Sequence, residues 1–432
     1  MKKILALLLA VVMVLGMVAC ASKTEAPAET TTTEPAAETT TEETKTEEPA
    51  KEEETATEEQ PTEEGVIKKV ALVTDVGTID DESFNQATWQ GVKAYCEANG
   101  IEYTYYQPTE DSTDARCISI DQAIKEGANV VVMPGYLFGG SIVREQEKYP
   151  EVYFIAVDVG AGDLTEDYAT FYDPQANVVC ATFAEEQAGY LAGYAVVMDG
   201  YTKLGFLGGM AVPAVQRYGY GFVQGVDAAA AELKLTDVKV NYAYGNQFFG
   251  DAVITAAMDT WYAGGTEIVF ACGGGIYTSA VDAAKKVEGA KVIGVDVDQA
   301  AVIANYAAGE GADAATVEGY KALTVTSAMK GLYPATFDTL TDVIVNGNWE
   351  KYVGKIETLG LVSGTDPEAN YVQIPMGDGT QWSDSFTQDD YKAMVKDMFD
   401  GKITVSNNTS SDVSAADFAT VITVDDQGSI KG

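Results

Sequence analysis

Three carboxylate residues stand at or just after the ends of short runs of β-forming residues: Asp75, Asp158 and Asp296. Carboxylates accept hydrogen bonds from hydroxyl and amide groups. In an open α/β sheet, crevices for small ligands form at the carboxyl ends of the strands. This pattern therefore predicts the recognition of a small molecule that carries several hydrogen-bond donors.

The stretch Val70–Gly91, VALVTDVGTIDDESFNQATWQG, has the pattern of a strand, a loop and a helix. Its loop and first helical turn hold Asp81, Phe84 and Asn85 at the strand end that also carries Asp75. A phenyl ring beside carboxylates and an amide offers a face to a flat ligand and polar neighbours to orient it. These four side chains are our candidates for the first wall of a binding site.

The same helical turn offers two of its side chains a purely structural role. Asp81 and Ser83 carry oxygens that can accept from the unpaired first-turn N–H groups of the helix. For Ser83 we expect this capping role.

Similar residue types recur in the second half of the chain. Tyr218 lies in VQRYGYGF, Gly273-Gly274-Gly275 follows a predicted strand, and Asp296 and Asp298 follow another. Paired aromatic side chains, several acceptors and a Gly-rich helix N-terminus suit an uncharged, flat molecule with many hydroxyl groups. A phosphate group would meet too many carboxylates here.

The chain contains no histidine, which excludes Ser-His-Asp and Cys-His catalysis and every metal site that uses histidine. Gly273 and Gly275 match part of a dinucleotide-binding fingerprint, but Thr278 stands where its third glycine belongs. We therefore expect a binding protein without catalytic residues, cofactor or metal, and treat a nicotinamide-dependent oxidoreductase as a weak alternative.

Four cysteines beyond the N-terminal region lack the spacing of metal ligands: Cys96, Cys117, Cys180 and Cys272. We interpret them as buried thiols, and a Cys96–Cys117 disulfide stays open as an alternative.

The N-terminal region has the features of export. Lys2 and Lys3 precede an apolar run that ends at Ala19-Cys20, which indicates a lipoprotein signal peptide with Cys20 as the lipid-modified residue. Residues 21–65 are mostly Thr, Glu, Ala, Pro and Lys, a composition typical of a disordered tether. The formal charge of −39 argues against nucleic-acid binding.

Strands and helices alternate along the rest of the chain in two consecutive series, which predicts two parallel α/β lobes with a ligand between them. Beyond Ala322 we expect a short strand over 323–326, a helix over 327–345, a β-like segment over 352–361 and a helix over 387–401. A helix over 183–198 carries Gly189 and Gly193, which would allow close packing against a neighbouring helix.

Several motifs, taken together and in order, resemble the basic membrane protein family of substrate-binding lipoproteins, the purine-nucleoside-binding group of ABC importers. The resemblance runs from about Lys68 to Ser406 and rests on TDVGTIDDESFNQATWQG, FIAVD, TFAEEQAGYLAGY, LGFLGG, VPAVQRYGYGFVQG, GTEIVFACGGG, VIGVDVDQ and LTVTSAMK.

The resemblance implies the type I periplasmic-binding-protein fold, two Rossmann-like lobes joined by a hinge of three crossovers near Cys180, Leu323 and Tyr352. The domain boundaries that follow are a signal peptide over 1–20, a tether over 21–65, lobe 1 over 66–180 and about 324–351, lobe 2 over 181–323 and about 352–406, and a tail over 407–432.

The resemblance also implies residue roles. Phe84 and Tyr218 match the aromatic side chains that sandwich the base, and Asp75, Asn85 and Asp158 fall near it. Gly274, Asp296 and Lys330 match positions that hold the ribose hydroxyls.

The implied partners are a nucleoside, the permease and ATPase subunits of an ABC importer, and a membrane reached through the N-terminal lipid, with the protein as a monomer. Three different functions stay open beside this one: a receptor for a free sugar or sugar-derived signal on the same fold, an exported enzyme with Asp296 or Lys330 as base, and a surface adhesin.

Overall fold

The computed structural model describes residues 67–431. The predicted signal peptide, Cys20 and the predicted tether lie outside these residues. Within the described part of the chain, no helix is long and apolar enough to cross a membrane.

The first series of elements begins at the described N-terminus. In chain order it comprises β1 (Lys69–Val73), α1 (Phe84–Asn99), β2 (Glu102–Tyr106), α2 (Thr113–Lys125), β3 (Val130–Pro134), α3 (Gly139–Lys148), β4 (Tyr153–Val157) and β5 (Val178–Phe183).

The second series follows directly. It comprises α4 (Glu185–Met198), β6 (Lys203–Gly208), α5 (Pro213–Leu233), β7 (Lys239–Tyr244), α6 (Ala252–Ala263), β8 (Ile268–Cys272), α7 (Tyr277–Ala284), β9 (Lys291–Asp296), α8 (Ala300–Ala308), α9 (Ala314–Lys321) and β10 (Thr324–Lys330).

The remaining elements complete both sheets. They are α10 (Leu332–Leu340) with a π-helical turn over Thr341–Val345, α11 (Trp349–Tyr352), β11 (Ile356–Leu359), β12 (Val372–Gln373), α12 (Gln388–Phe399) and β13 (Thr423–Ser429). Short 3₁₀ turns cover Tyr136–Phe138, Pro367–Ala369 and Ala415–Phe418.

Two separate sheets confirm the predicted two-lobed α/β fold. The first has six strands in the order β11-β5-β4-β3-β1-β2, and the second has seven in the order β12-β10-β9-β8-β6-β7-β13. Their pairings are parallel apart from the antiparallel pair of β10 and β12. We call the first sheet with α1, α2, α3 and α10 lobe 1, and the second sheet with α4 to α9 lobe 2.

The central strands are apolar because helices cover both of their faces. Every residue of β1, KVALV, and of β3, VVVMP, is buried. A parallel sheet with both faces covered requires such continuous hydrophobic runs rather than alternation.

The chain crosses between the lobes three times, but some predicted boundaries are wrong. The crossings follow Phe183, Lys330 and Leu359, so β10 belongs to lobe 2 and β11 pairs with β5 in lobe 1. The predicted helix over 327–345 also begins too early, because Ser327–Lys330 continues β10. Hydrophobic periodicity identifies a strand but not the sheet that it joins.

The segment 407–432 is more than a tail. Its strand β13 pairs in parallel with β7 and forms an edge of the second sheet. The carboxylate of Asp227 in α5 accepts hydrogen bonds from the N–H groups of Thr420 and Val421 at 2.7 and 2.8 Å, which ties the segment to lobe 2.

The small residues of α4 allow the close packing that the sequence predicts. A Cβ at Gly189 would collide with the backbone carbonyl of Tyr218, and a Cβ at Gly193 would collide with that of Phe222. Because α4 and α5 therefore lie against each other, Gly189 sets the position of the helix that carries Tyr218.

The four cysteines in the described part of the chain are free and buried, as interpreted from the sequence. They form no disulfide. Residues 67–431 contain no cluster of His, Cys, Asp or Glu side chains that could hold a metal ion.

Candidate ligand-binding site

A cavity of about 130 Å³ lies between the two lobes, at the carboxyl ends of their strands. The nine side chains and backbone positions predicted as ligand contacts all line it. They are Asp75, Asp81, Phe84, Asn85, Asp158, Tyr218, Gly274, Asp296 and Lys330.

The lobe 1 wall is a hydrogen-bonded set around Asn85. Its Nδ2 donates to Oδ1 of Asp75 and to Oδ2 of Asp81, each at 2.9 Å. Burial raises the pKa of Asp75, against the opposing effect of the N–H donated by Gly77. The bonds of this set connect Asp75, just after β1, to Asn85 in the first turn of α1.

The cap of α1 comes from Asp81 and not from Ser83. The Asp81 carboxylate accepts from the N–H groups of Ser83, Asn85 and Gln86 at 3.0, 2.9 and 3.1 Å. Ser83 occupies the N-cap position, but its side chain makes no cap bond. Its hydroxyl instead donates to Oδ2 of Asp296 at 2.7 Å, so the capping role expected of Ser83 is wrong.

Two aromatic rings from opposite lobes face a common point. The Lys330 Nζ lies 4.7 Å from the ring centroid of Phe84 in lobe 1 and 5.7 Å from that of Tyr218 in lobe 2. Tyr218 is buried, and its hydroxyl has no hydrogen-bond partner within residues 67–431. Phe84 is half-buried, so part of its ring faces the cavity.

Lys330 is the centre of a buried ion cluster. Its Nζ lies 2.6 Å from Asp158, 3.5 Å from Glu185 and 3.7 Å from Asp296. Burial alone would lower the pKa of Lys330, but these three carboxylates together raise it. The lysine is therefore charged in the folded protein, and its bond to Asp158 links lobe 2 to lobe 1.

Arg217 completes the cluster from α5. Its Nε donates to Oε2 of Glu185 at 2.6 Å, and its Nη2 lies 3.9 Å from Asp158. Burial raises the pKa of Glu185 to about 7, against the opposing charge of Arg217. Two cations thus face three carboxylates when Asp296 is included.

Asp158 and Asp296 share an unusual backbone geometry. Their φ angles are 64° and 65°, in the left-handed region that non-glycine residues seldom adopt. Asp158 directly follows β4 and Asp296 ends β9, the fourth strands of the βαβ series in lobe 1 and lobe 2. Such strain persists only where the surroundings hold it, and it turns both carboxylates toward the same cavity.

The family is decided by sequence comparison. A model of the Bmp family, described as ABC transporter substrate-binding protein PnrA-like, matches residues 68–364. The chain belongs to this PnrA-like family. PnrA-like proteins are partners of ABC transporters, and this member therefore acts at the extracytoplasmic side of a membrane.

Two named relatives are similar in sequence to this PnrA-like protein over more than half of its length. It is 29% identical to the ABC transporter nucleoside-binding protein BmpA of Lactococcus lactis subsp. cremoris (strain MG1363), over 78% of this chain and 88% of that one. It is also 29% identical to Basic membrane protein A1 of Borrelia garinii subsp. bavariensis, over 56% of this chain and 67% of that one.

A solved structure supports the fold. A solute-binding protein of an ABC transporter system from Aeropyrum pernix K1 superposes with a TM-score of 0.57 at 20% identity, covering 79% of this chain and 88% of that chain. This likeness concerns the architecture alone.

Four polar or aromatic side chains at the site of this PnrA-like protein were not predicted from the sequence. Tyr136 and Phe248 line the cavity, and Glu185 and Arg217 belong to the ion cluster. Tyr136 follows β3 directly after Pro134-Gly135, so its place at a strand end was a usable signal. Glu185 and Arg217 carried no such signal, because only the packing of α4 on α5 brings them together.

Proposed function

We propose that this PnrA-like protein captures a nucleoside, in the first instance a purine nucleoside, between its lobes and delivers it to an ABC importer. The observation that carries the proposal is the pair of rings of Phe84 and Tyr218, one from each lobe, at a cavity edged by carboxylates. The nucleoside-binding relative from Lactococcus lactis points to the same ligand class.

The base stacks between the two rings in this proposal. Stacking a base on one aromatic side chain contributes about 1–3 kcal/mol. Asp75, Asn85 and Asp158 then lie at the edge of the base, where carboxylate and amide groups accept from its N–H groups or donate to its ring nitrogens. Tyr218 adds a hydroxyl whose hydrogen-bond capacity is not used by residues 67–431.

The ribose lies toward lobe 2, at Gly274, Asp296 and Lys330. The backbone of Gly274 has φ 50° and allows close approach of the ligand. Asp296 accepts from sugar hydroxyls and Lys330 donates to them. Because carboxylates outnumber cations in the cluster, hydroxyl donors suit this site and a phosphate does not.

Closure of the lobes around the ligand is the step that links binding to transport in this proposal. A ligand that contacts both lobes favours their closed arrangement, and the importer's permease then receives the closed form. We further propose that a lipid on Cys20 anchors the protein, that residues 21–65 act as its tether, and that the protein works as a monomer.

The test begins with ligand released by denaturing the purified protein and identified by mass spectrometry. Calorimetry with adenosine, guanosine, inosine, uridine, ribose and glucose then ranks affinities. Tight binding of a nucleoside with no binding of free sugars supports the proposal. Tight binding of a free sugar, with no binding of nucleosides, would show instead that the protein is a sugar receptor with the same fold.

Two further measurements separate a transport receptor from an enzyme and from an adhesin. Conversion of a bound nucleoside over hours, followed by chromatography, would indicate an enzyme, whereas unchanged ligand supports a receptor. Uptake of labelled nucleoside that stops when the gene is deleted, and returns with the intact gene, supports transport over adhesion.

A further inference from the structure

A second cavity of about 390 Å³ adjoins the first one along the boundary between the lobes. We call it the side cavity. Lobe 1 contributes Arg116, Arg144 and the loop 162–168, and lobe 2 contributes Ala211–Pro213. Tyr136 and Val212 line both cavities, so the two spaces meet at these side chains.

The side cavity opens toward the base end of the proposed nucleoside site. Tyr136 follows Gly135, where a Cβ would lie 3.0 Å from the Asp75 carboxylate. Asp163, which lines the side cavity, is close enough to Asp158 for the charge of Asp158 to raise the pKa of Asp163, in addition to the larger effect of burial. Asp75 and Asp158 are the carboxylates assigned to the base edge.

The Tyr136 side chain, which separates the two cavities, makes only a weak hydrogen-bond contact within residues 67–431. The Tyr136 hydroxyl contacts only the thioether sulfur of Met210, at 3.7 Å, among its hydrogen-bonding neighbours in the described residues. Sulfur is a weak acceptor. The hydroxyl of Tyr136 therefore contributes little to fixing the ring between the two cavities.

The polar groups of the side cavity are a mixture of donors and acceptors. Arg116 is buried, and its only ion-pair partner in the described residues is the exposed Asp111, at 2.9 Å from Nη1. The Nε of Arg116 has no acceptor within residues 67–431. Asp163 offers carboxylate oxygens, one of which already accepts from the N–H of Gly160 at 2.8 Å.

We propose that the side cavity admits a substituent on the base of a purine nucleoside, and that the preferred substituent is an uncharged amide or urea group. Such a group supplies a carbonyl oxygen to Arg116 and N–H donors to Asp163. The two arginines of the side cavity are already paired, Arg116 with Asp111 and Arg144 with Asp114 and Glu166. An anionic substituent would therefore add negative charge beside Asp163 and Glu166. The inference rests on the proposed function, because it takes the position of the base from it.

The test compares three ligands by calorimetry: adenosine, N6-pentyladenosine and N6-(ethylcarbamoyl)adenosine. The two substituents have similar size, but only the second carries the urea-type donors and acceptor. We expect N6-(ethylcarbamoyl)adenosine to bind at least as tightly as adenosine, and about tenfold more tightly than N6-pentyladenosine.

Two variants narrow the side cavity from opposite lobes. Gly162→Leu adds a side chain where a Cβ meets open space, and Ala211→Leu enlarges a lining residue of lobe 2. We expect either variant to weaken binding of N6-(ethylcarbamoyl)adenosine about tenfold and to change adenosine binding less than twofold. Gly319→Leu, on exposed α9 where a Cβ also meets open space, is the matched control and should change neither affinity.

The measurements distinguish a failure of this inference from a failure of the proposed function. If adenosine binds but both derivatives bind a hundredfold more weakly, the side cavity does not extend the site. In that case the inference is wrong and the proposed function still stands. Equal affinities for the two derivatives would overturn the choice of an amide or urea group, and equal losses for all ligands in both narrowing variants would overturn the use of the side cavity. If no nucleoside binds, the proposed function fails and the inference fails with it.

Discussion

The hydroxyl of Ser83 and the carboxylate of Asp296 form a hydrogen bond of 2.7 Å between residues that are 213 positions apart. Ser83 stands at the start of α1 in lobe 1, and Asp296 ends β9 in lobe 2. The pair therefore joins the lobes at the edge of the cavity. The contact between Lys330 and Asp158 does the same at 2.6 Å. The contacts between the lobes therefore include three side chains that line the cavity: Asp158, Asp296 and Lys330.

Ser83→Ala should weaken nucleoside binding. A hydrogen bond to a charged group contributes about 1.5–3 kcal/mol, and this one forms only when the lobes meet, so we expect a loss of roughly tenfold or more, mainly through faster dissociation. Stopped-flow fluorescence and calorimetry measure both. Ser112→Ala, which removes the side-chain cap of α2 in the same lobe, is the matched control. Equal affinities of the two variants would show that the bond does not favour closure.

Asp296→Asn should reduce the preference for ribonucleosides over their 2′-deoxy forms. The change keeps the shape of the side chain but leaves one acceptor oxygen, and each charge-assisted bond to a hydroxyl contributes about 1.5–3 kcal/mol. Calorimetry with adenosine, guanosine, inosine and their 2′-deoxy forms gives the ratio.

The control for this variant is Asp298→Asn. The Asp298 carboxylate accepts from the N–H of Ala300 at 3.1 Å, and so caps the start of α8. An asparagine preserves that cap. If Asp296→Asn leaves the ribose-to-deoxyribose ratio of the parent protein unchanged, Asp296 does not contact the sugar.

Phe84→Ala should weaken nucleoside binding by about 1–3 kcal/mol, the range for losing one stacking surface. Phe84 also packs against the core, so a structural role has to be separated from a binding role. Calorimetry on the folded fraction and thermal unfolding are measured together, and the control is Phe399→Ala, which truncates an exposed phenylalanine at the end of α12. A large drop in melting temperature with unchanged affinity would assign Phe84 to the core alone.

Glu186→Gln should stabilise the protein at pH 8 and much less at pH 5. Burial raises the pKa of Glu186 from 4.5 to about 7, so the folded state binds a proton that the unfolded state releases. This contribution to stability is fully present below pH 4.5 and is lost as the pH rises through about 7. Removing the buried charge should therefore gain about 1–3 kcal/mol at pH 8.

Chemical unfolding at pH 5 and pH 8 measures this difference. Glu232→Gln, on the last turn of neighbouring α5, is a control whose carboxylate lies at an exposed position. A pH dependence of stability that is the same in Glu186→Gln and in the parent protein would contradict the prediction.

Local sequence patterns identified several of the residues that line the cavity, but not Tyr136 or Phe248. Asp75 and Asp158 follow strands β1 and β4 of one sheet, and parallel strands of one sheet end on the same side, so their positions in the chain already imply a common edge. Asp296 ends β9 of the second sheet, and only the packing of the lobes brings it to the same cavity. The aromatic residues Phe84 and Tyr218 stand near helix starts that follow such strand ends. Spacing along the chain carries this information because each strand, loop and helix is a short-range unit.

The same reasoning did not predict side-chain contacts between residues that are far apart in the sequence. The expected cap by Ser83 was locally sound, yet Asp81 made the cap and Ser83 bonded to lobe 2. Glu185 and Arg217 met only because α4 lies on α5. A hydrogen bond between residues far apart in sequence leaves no local pattern, since its geometry depends on how whole elements pack.

The sequence by itself determined the two α/β series, the buried strands and the polar strand ends, because hydrophobic periodicity and turn residues act over a few positions. The tertiary structure alone decided that β10 joins lobe 2 and β11 joins lobe 1, that β13 closes an edge of the second sheet, and that a side cavity adjoins the binding cavity at Tyr136. Strand pairing and cavity shape depend on which surfaces exclude water together, and that is a property of the assembled chain.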